Sequence, residues 1–183
     1  MRRKFPQAYP GMKIGLFGGS FDPAHEGHAH VAETALKRLD LDRVWWMVSP
    51  QNPLKPDSSK FKKRRKSARR QAHGAKMVVT DIEKRLGCKY TYQTLRALKR
   101  LYPGVAFTLI MGADNLGNFR KWRNWREVAR AVPVAVVSRP GAGPSLRLNA
   151  PRGWTHITAR DHFQSSTALR AGKGRSVAKQ KRK

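Results

Sequence analysis

The stretch that most constrains the fold of this chain runs from Lys13 to His28, with the sequence KIGLFGGSFDPAHEGH. Its short apolar run, Ile14 to Phe17, predicts a buried strand. Gly18-Gly19 ends that strand, because glycine lets the backbone turn sharply and approach a ligand closely. Asp22-Pro23 then excludes an immediate helix, since the residue before proline is pushed out of the α region.

A helix is predicted to begin near Gly27. Its buried face is predicted from four apolar residues at helical spacing: Ala32, Ala35, Leu36 and Leu39. Three kinds of group that attract anions would therefore meet after the first strand: backbone N–H groups, the positive end of a helix dipole, and the imidazoles of His25 and His28. This arrangement predicts a site for phosphate. The alternative is a plain strand-to-helix turn with two surface histidines. A metal site there would need further ligands, and the chain has no HExxH motif.

Charge is the unusual feature of the composition. The 183 residues include 39 Lys and Arg against 11 Asp and Glu, so the net charge is +28. Such a surface suits anionic partners, and we expect nonspecific polyanion binding at low salt. Cys88 is the single cysteine, which excludes an intramolecular disulfide and favours a cytoplasmic protein. No apolar run approaches the roughly 20 residues of a membrane helix.

Strand and helix patterns alternate along the chain. After the first strand and helix, further strands are predicted at 43–48, 76–80, 105–111, 134–137 and, weakly, 154–158. Helices are predicted at 91–101, with three leucines inward (Leu95, Leu98 and Leu101), and at 122–132. The basic block 60–70 is either a surface helix or partly disordered, 81–89 is a polar connection, and 49–56 and 141–153 are loops.

This alternation predicts an α/β fold, Rossmann-like and doubly wound, with a mostly parallel sheet and helices on both faces. We expect an irregular lead-in at 1–12, one domain at 13–171 and a basic, disordered tail at 172–183. Gly18, Ser49 and Gly112 each follow a predicted strand. Ligands of open α/β sheets bind beyond the carboxyl ends of the strands, so these three positions are expected to converge.

Three further patterns could bind parts of a nucleotide. Gly112-x-Asp114 suits a ribose, although Asp114 could equally be a plain helix N-cap. Ser165-Ser166-Thr167 with Arg170 can cap a helix and also hold a polyphosphate. Trp122 and Trp125 share a face at i, i+3, either as core or with one ring stacking on a ligand. No activated nucleophile is evident, and direct transfer to phosphate needs none.

Gly18-Gly19-Ser20-Phe21-Asp22-Pro23 followed by His25-x-Gly27-His28 resembles the signature of the nucleotidylyltransferase superfamily, the H-x-G-H adenylyl- and cytidylyltransferases. Four further stretches, at 45–55, 90–95, 112–122 and 165–170, resemble the bacterial nicotinate-nucleotide adenylyltransferases. The resemblance implies transfer of AMP from ATP to nicotinate mononucleotide in NAD biosynthesis, with release of pyrophosphate. It implies Mg²⁺ held mainly by the substrates' own oxygens, and no metal site made of protein side chains.

The resemblance also implies roles for particular residues. His25 and His28 would stabilise the transition state and the leaving pyrophosphate. The residues implied to bind ATP are Gly18, Gly19, Ser20, Phe21, Gly112, Asp114, Ser166, Thr167 and Arg170. The residues implied to bind nicotinate mononucleotide are Thr91, Trp122 and Lys55.

The chain departs from the family pattern in three ways. Gln164 replaces an apolar residue, the connection from Arg139 to Ser165 is short, and the 60–70 block is more basic than expected. Two alternatives stay open. A related adenylyltransferase could act on nicotinamide mononucleotide or phosphopantetheine, with Thr91 and Trp122 in the half that decides. A basic nucleic-acid-binding protein is the alternative from another class, although no RRM, KH or helix-turn-helix signature is present.

Overall fold

A computed structural model describes residues 5–50, 58–138 and 153–158 of the chain. Within them, six parallel strands form one sheet in the order β3-β2-β1-β4-β5-β6. The strands are β1 Lys13–Gly19, β2 Arg43–Val48, β3 Met77–Thr80, β4 Ala106–Gly112, β5 Val134–Ser138 and β6 Thr155–Thr158. The helices are α1 Glu26–Arg38, α2 Phe61–Gln71, α3 Ile82–Leu86, α4 Thr91–Leu101, α5 Leu116–Phe119 and α6 Trp125–Ala131, with a short 3₁₀ helix at Ala113–Asn115.

This order confirms the predicted Rossmann-like, doubly wound fold, because the sheet grows outward in both directions from β1 and β4. None of the helices in the described part of the chain is long and apolar enough to cross a membrane.

Both faces of the sheet are covered by helices. Neighbouring side chains of a strand point to opposite faces, so Trp45 and Trp46 of β2 are both fully buried but belong to different halves of the core. On the Trp46 side the sheet packs against alanines of α1 and α2. On the Trp45 side it packs against α3, α4 and α6. Continuous apolar strands such as β2 are stable only in such a two-sided core.

The predicted elements differ from the structure at three points. Leu101 is 44% exposed rather than inward, since it is the last residue of α4. Residues 81–89 contain the helix α3 and are not only a polar connection. The helix predicted at 122–132 begins only at Trp125, since Asn124 has a left-handed backbone with φ of +52°. For 60–70 the helical alternative is correct, as α2.

The described part of the lead-in, residues 5–12, forms neither helix nor strand but packs against the domain. Phe5 and Met12 contact the Trp45 side of the core. The Tyr102 hydroxyl donates to the Pro6 carbonyl at 2.7 Å, and Arg43 donates to the Gln7 carbonyl at 3.0 Å.

Helix α3 brings one carboxyl group into the core. Glu83 is buried, and its side chain accepts a hydrogen bond of 3.1 Å from the Thr94 hydroxyl of α4. Burial disfavours the charged form and raises the pKa of Glu83 to about 7, against the lowering effect of the Thr94 bond.

Replacing Glu83 with Gln should make the protein less sensitive to alkaline pH. The folded-state pKa of about 7 lies above the ordinary value of 4.5, so the folded protein binds the Glu83 proton more tightly than the unfolded chain does. The stabilisation is complete below about pH 4.5 and is lost as the pH rises through about 7. The free energy of unfolding of Glu83→Gln, relative to the unsubstituted protein, should therefore rise from pH 5 to pH 8 by up to about 3 kcal/mol. Urea unfolding measures this difference. The exposed Glu26→Gln is the control, and a difference for Glu83→Gln that does not change with pH would contradict the prediction.

Candidate active site

The carboxyl ends of β1, β2 and β4 meet at one edge of the sheet. Gly19 pairs with Val48, and the Ser49 N–H donates to the Gly19 carbonyl at 3.0 Å. On the other side of β1, Phe17 pairs with Ile110, so Gly19 and Gly112 each lie two residues beyond a paired position. The structure therefore brings together the three positions at which the sequence places loops after strands. Between β1 and β4, where the sheet changes direction, α/β folds bind their ligands.

An aromatic cluster shapes the turn after β1. The Phe21 side chain is 2% exposed, and its ring centroid lies 5.5 Å from that of Phe17 and 5.2 Å from those of Trp46 and His28. Phe21 has φ of +50°, a left-handed conformation that costs energy for a bulky residue and persists only where its surroundings hold it. Because the ring is anchored in the core, only the backbone of Phe21 is available to a ligand at this turn.

The same ring explains one of the two glycines. A Cβ atom at Gly19 would lie 3.1 Å from the Phe21 ring, closer than ordinary van der Waals contact. A Cβ atom at Gly18 would lie 3.7 Å from the Met47 methyl group, which is ordinary contact. Glycine at position 19 therefore leaves the Phe21 ring room to pack against the turn, and a larger residue there would press on that ring.

His25 and His28 lie at the N-terminus of α1. His25 is the N-cap residue, and its backbone N–H donates to Nδ1 of His28 at 3.2 Å. The two imidazole centroids are 3.9 Å apart. Because Nδ1 of His28 accepts this bond, the neutral His28 ring carries its proton on Nε2 and donates from that atom. The arrangement combines imidazole donors with the positive end of the α1 dipole, which favours an anion.

Asp114 lies in the short 3₁₀ helix that follows β4. Its side chain is exposed, and the N-cap of that helix is Gly112 rather than Asp114, so the alternative that Asp114 is a plain N-cap is wrong. Gly112 has an extended backbone, and a Cβ atom added there would meet no other atom within 4 Å, so the end of β4 borders open space.

Two of the three residues implied to bind nicotinate mononucleotide, Thr91 and Trp122, belong to elements on the Trp45 side of the sheet. Thr91 is the first residue of α4. Trp122 is half-buried and precedes α6. The prediction that Trp122 and Trp125 share one face of a helix is therefore wrong. Both tryptophan rings instead pack around Phe119, at 5.4 and 6.0 Å between centroids. Both rings are half-buried against the Trp45 side of the core, and stacking of Trp122 on a ligand stays a prediction.

Other predicted residues lie outside the described part of the chain: Lys55, Ser165, Ser166, Thr167 and Arg170. The tail at 172–183 lies there too, as does most of the loop predicted at 141–153.

The described residues offer neither a metal cluster nor an activated thiol. Across 5–50, 58–138 and 153–158, no three side chains of His, Cys, Asp or Glu are grouped so that they could hold a metal ion. Burial raises the pKa of the Cys88 thiol, which keeps it protonated and a poor nucleophile at neutral pH.

The residues that hold the glycine turn from outside, Ser67 and Ser59, carry no motif that marks them in the sequence. The Ser67 hydroxyl of α2 accepts from the Ala24 N–H at 2.9 Å and donates to the Ala24 carbonyl at 3.3 Å. The Asp22 carboxylate accepts from the Ser59 N–H at 2.8 Å. The sequence predicts 60–70 as a surface helix or a partly disordered block, and neither alternative indicates that this block supports the site.

The sheet order, the glycine turn and the histidine pair define a nucleotidylyltransferase-type site. In agreement, the model of the cytidylyltransferase-like family matches residues 16–172. The protein named probable nicotinate-nucleotide adenylyltransferase of Caulobacter sp. strain K31 is 49% identical, over 87% of this chain and 97% of its own length. Its namesake in Ruegeria pomeroyi is 42% identical, over 100% of this chain and 96% of its own length. The chain belongs to the nicotinate-nucleotide adenylyltransferases.

The fold is also found among solved structures. The nicotinic acid mononucleotide adenylyltransferase of Plasmodium falciparum, solved in complex with NaAD, superposes with a TM-score of 0.70. The match covers 87% of this chain and 83% of that one at 18% sequence identity. At that identity the likeness supports the Rossmann-like fold.

Adding a methyl group at Gly19 should destabilise the protein more than adding one at Gly18. The Gly19→Ala methyl must displace a Phe21 ring that is packed against Phe17 and Trp46. We expect Gly19→Ala to cost about 1 kcal/mol of unfolding free energy, and Gly18→Ala to stay within about 0.5 kcal/mol of the unsubstituted protein. Urea unfolding of the two variants side by side measures this, and equal stabilities would show that the Phe21 ring does not restrict the turn.

Proposed function

We propose that this enzyme transfers AMP from ATP to nicotinate mononucleotide, forming nicotinate adenine dinucleotide and pyrophosphate. A phosphate oxygen of the mononucleotide attacks the α-phosphorus of ATP, and the bond from that phosphorus to the bridging oxygen of pyrophosphate breaks. The observation that carries the proposal is the meeting of the glycine turn, the histidine pair and the end of β4 at one sheet edge, in a chain of this family.

The reaction needs placement and charge stabilisation more than covalent chemistry. Charge develops on phosphate oxygens in the transition state, and fixed donors aimed at those oxygens lower the barrier. We assign this role to His25 and His28 and to the backbone amides of Gly18, Gly19, Ser20 and Phe21. The anchored Phe21 ring and the hydrogen bond to His28 Nδ1 support the assignment, because both hold donor groups in place before substrate arrives.

The remaining roles follow the family pattern. We assign adenosine to Gly112 and Asp114, and the triphosphate to Ser166, Thr167 and Arg170. We assign nicotinate mononucleotide to Thr91, Trp122 and Lys55. Mg²⁺ would enter with ATP and neutralise charge on its phosphates. We also propose a cytoplasmic location, which the single cysteine favours.

Turnover should be faster with nicotinate than with nicotinamide mononucleotide. Thr91 begins α4, and the positive end of a helix dipole favours a carboxylate over a neutral amide. We expect kcat/KM to be at least about tenfold higher with nicotinate mononucleotide when both acceptors are assayed with ATP and Mg²⁺. Formation of the dinucleotide from neither acceptor would reject the proposed function, and equal or better rates with the amide would reject the acceptor.

Two substitutions of His28 test the roles of its two ring nitrogens separately. Asn places its side-chain oxygen near the position of Nδ1, so His28→Asn keeps an acceptor for the His25 N–H but loses the Nε2 donor. Gln places its side-chain nitrogen near Nε2, so His28→Gln keeps that donor. We expect kcat to fall by about 100-fold or more for His28→Asn and clearly less for His28→Gln, with thermal stability nearly unchanged for His28→Asn. Single-turnover assays measure the rates, and full activity of His28→Asn would remove the Nε2 donor from the mechanism.

A further inference from the structure

Arg64 is unlike the other basic residues of α2. It is 1% exposed, although it lies in the basic block that begins at residue 60. Its Nε atom donates to the Ser59 carbonyl, Nη1 donates to the carbonyls of Ser20 and Ser49, and Nη2 donates to the Pro50 carbonyl, each at 2.8 Å. One guanidinium group therefore joins the glycine turn, the end of β2 and the segment that leads into α2.

The arrangement uses the shape of the guanidinium group as well as its charge. Four carbonyl oxygens from three segments surround one plane of N–H donors, a geometry that the single ammonium group of lysine does not reproduce. Burial lowers the pKa of Arg64, and the negative charge of Asp22 opposes that effect. Asp22 itself accepts from the Ser59 N–H at 2.8 Å, so the buried cation has an anion within the same network.

The contact with Ser20 has a consequence for the neighbouring residue. In a planar trans peptide the C=O and N–H groups point in opposite directions. Because the Ser20 carbonyl points at Arg64, the N–H of Phe21 points away from Arg64. The Phe21 N–H is one of the amides assigned to the ATP phosphates, and its ring cannot reach the ligand because it is buried.

We propose that Arg64 is a positioning residue that aims the Phe21 N–H at the phosphates of ATP. The inference rests on the proposed function only for the identity of the anion. Ser67 lies one turn further along the same face of α2 and holds the other end of the turn through its two hydrogen bonds to Ala24. Helix α2 is thus hydrogen-bonded to the turn at Ser20 and at Ala24, on either side of Phe21.

The test compares Arg64→Lys with Arg69→Lys, a matched control because Arg69 is an exposed arginine of the same helix. Kd values are measured for ATP and for adenosine, and kcat and KM are measured for ATP. We expect Arg64→Lys to weaken ATP binding by about tenfold or more while adenosine binding stays within about twofold, because only the phosphate contacts depend on the turn. Arg69→Lys should change neither. Equal Kd values of Arg64→Lys and the unsubstituted protein for ATP, or an equal loss for ATP and adenosine, would overturn the proposal.

A second variant keeps the test decisive if Arg64→Lys does not fold. Ser67→Ala removes the bonds to Ala24 without leaving a buried charge unpaired, and we expect it to weaken ATP binding selectively by about threefold or more. Unchanged ATP affinity in Ser67→Ala would then reject the positioning role of α2. If the unsubstituted protein binds ATP but forms no dinucleotide, the proposed function fails while the ATP and adenosine affinities still test Arg64.

Discussion

The parallel pairing of β1 with β2 on one side and β4 on the other is the constraint on which the site depends. Parallel strands end at the same edge of a sheet, so the residues after β1, β2 and β4 meet there although they are far apart in the sequence. This pairing brings Gly19, Ser49 and Gly112 to the same edge. The helices on both faces make it stable, because strands as apolar as β2 must be covered on both sides.

The edge becomes a site through the turn after β1, which is held from two directions. From inside, the Phe21 ring is enclosed by Phe17, Trp46 and His28, which fixes a left-handed residue next to the glycines. From outside, α2 binds the carbonyls on either side of Phe21. Under the proposed function, a turn held in this way would present its amides without rearrangement when charge develops on the substrate, which is the property that makes fixed donors effective.

The sequence predicts the fold well because β1, β2, β4 and β5 are short apolar runs that end at, or within two residues of, a glycine or a proline. It also predicts which loops meet at one edge. The sequence does not predict the burial of a side chain where tertiary contacts determine it. Leu101 has the spacing of a buried residue but falls at the end of α4, and the tryptophan pair at 122 and 125 is separated by the left-handed Asn124. Helix α3 is short and polar, and only Gly87, with φ of +68°, marks its end. The roles of Lys55, Ser166, Thr167 and Arg170 rest on the family pattern.

The basic block at 60–70 shows why an apolar pattern could not reveal the buried face of α2. The inward face of this helix does recur at helical spacing, as Phe61, Arg64 and Ala68, but its central member is charged and is counted as polar by any apolar pattern. The other cations divide into Arg65, which pairs with Asp81 at 2.8 Å, and exposed residues that solvent screens. The arginines of this basic block are therefore of two kinds, exposed and buried. The exposed ones are the groups from which the expected attraction to polyanions at low salt would come, whereas Arg64 is buried and donates to four carbonyl groups around the site.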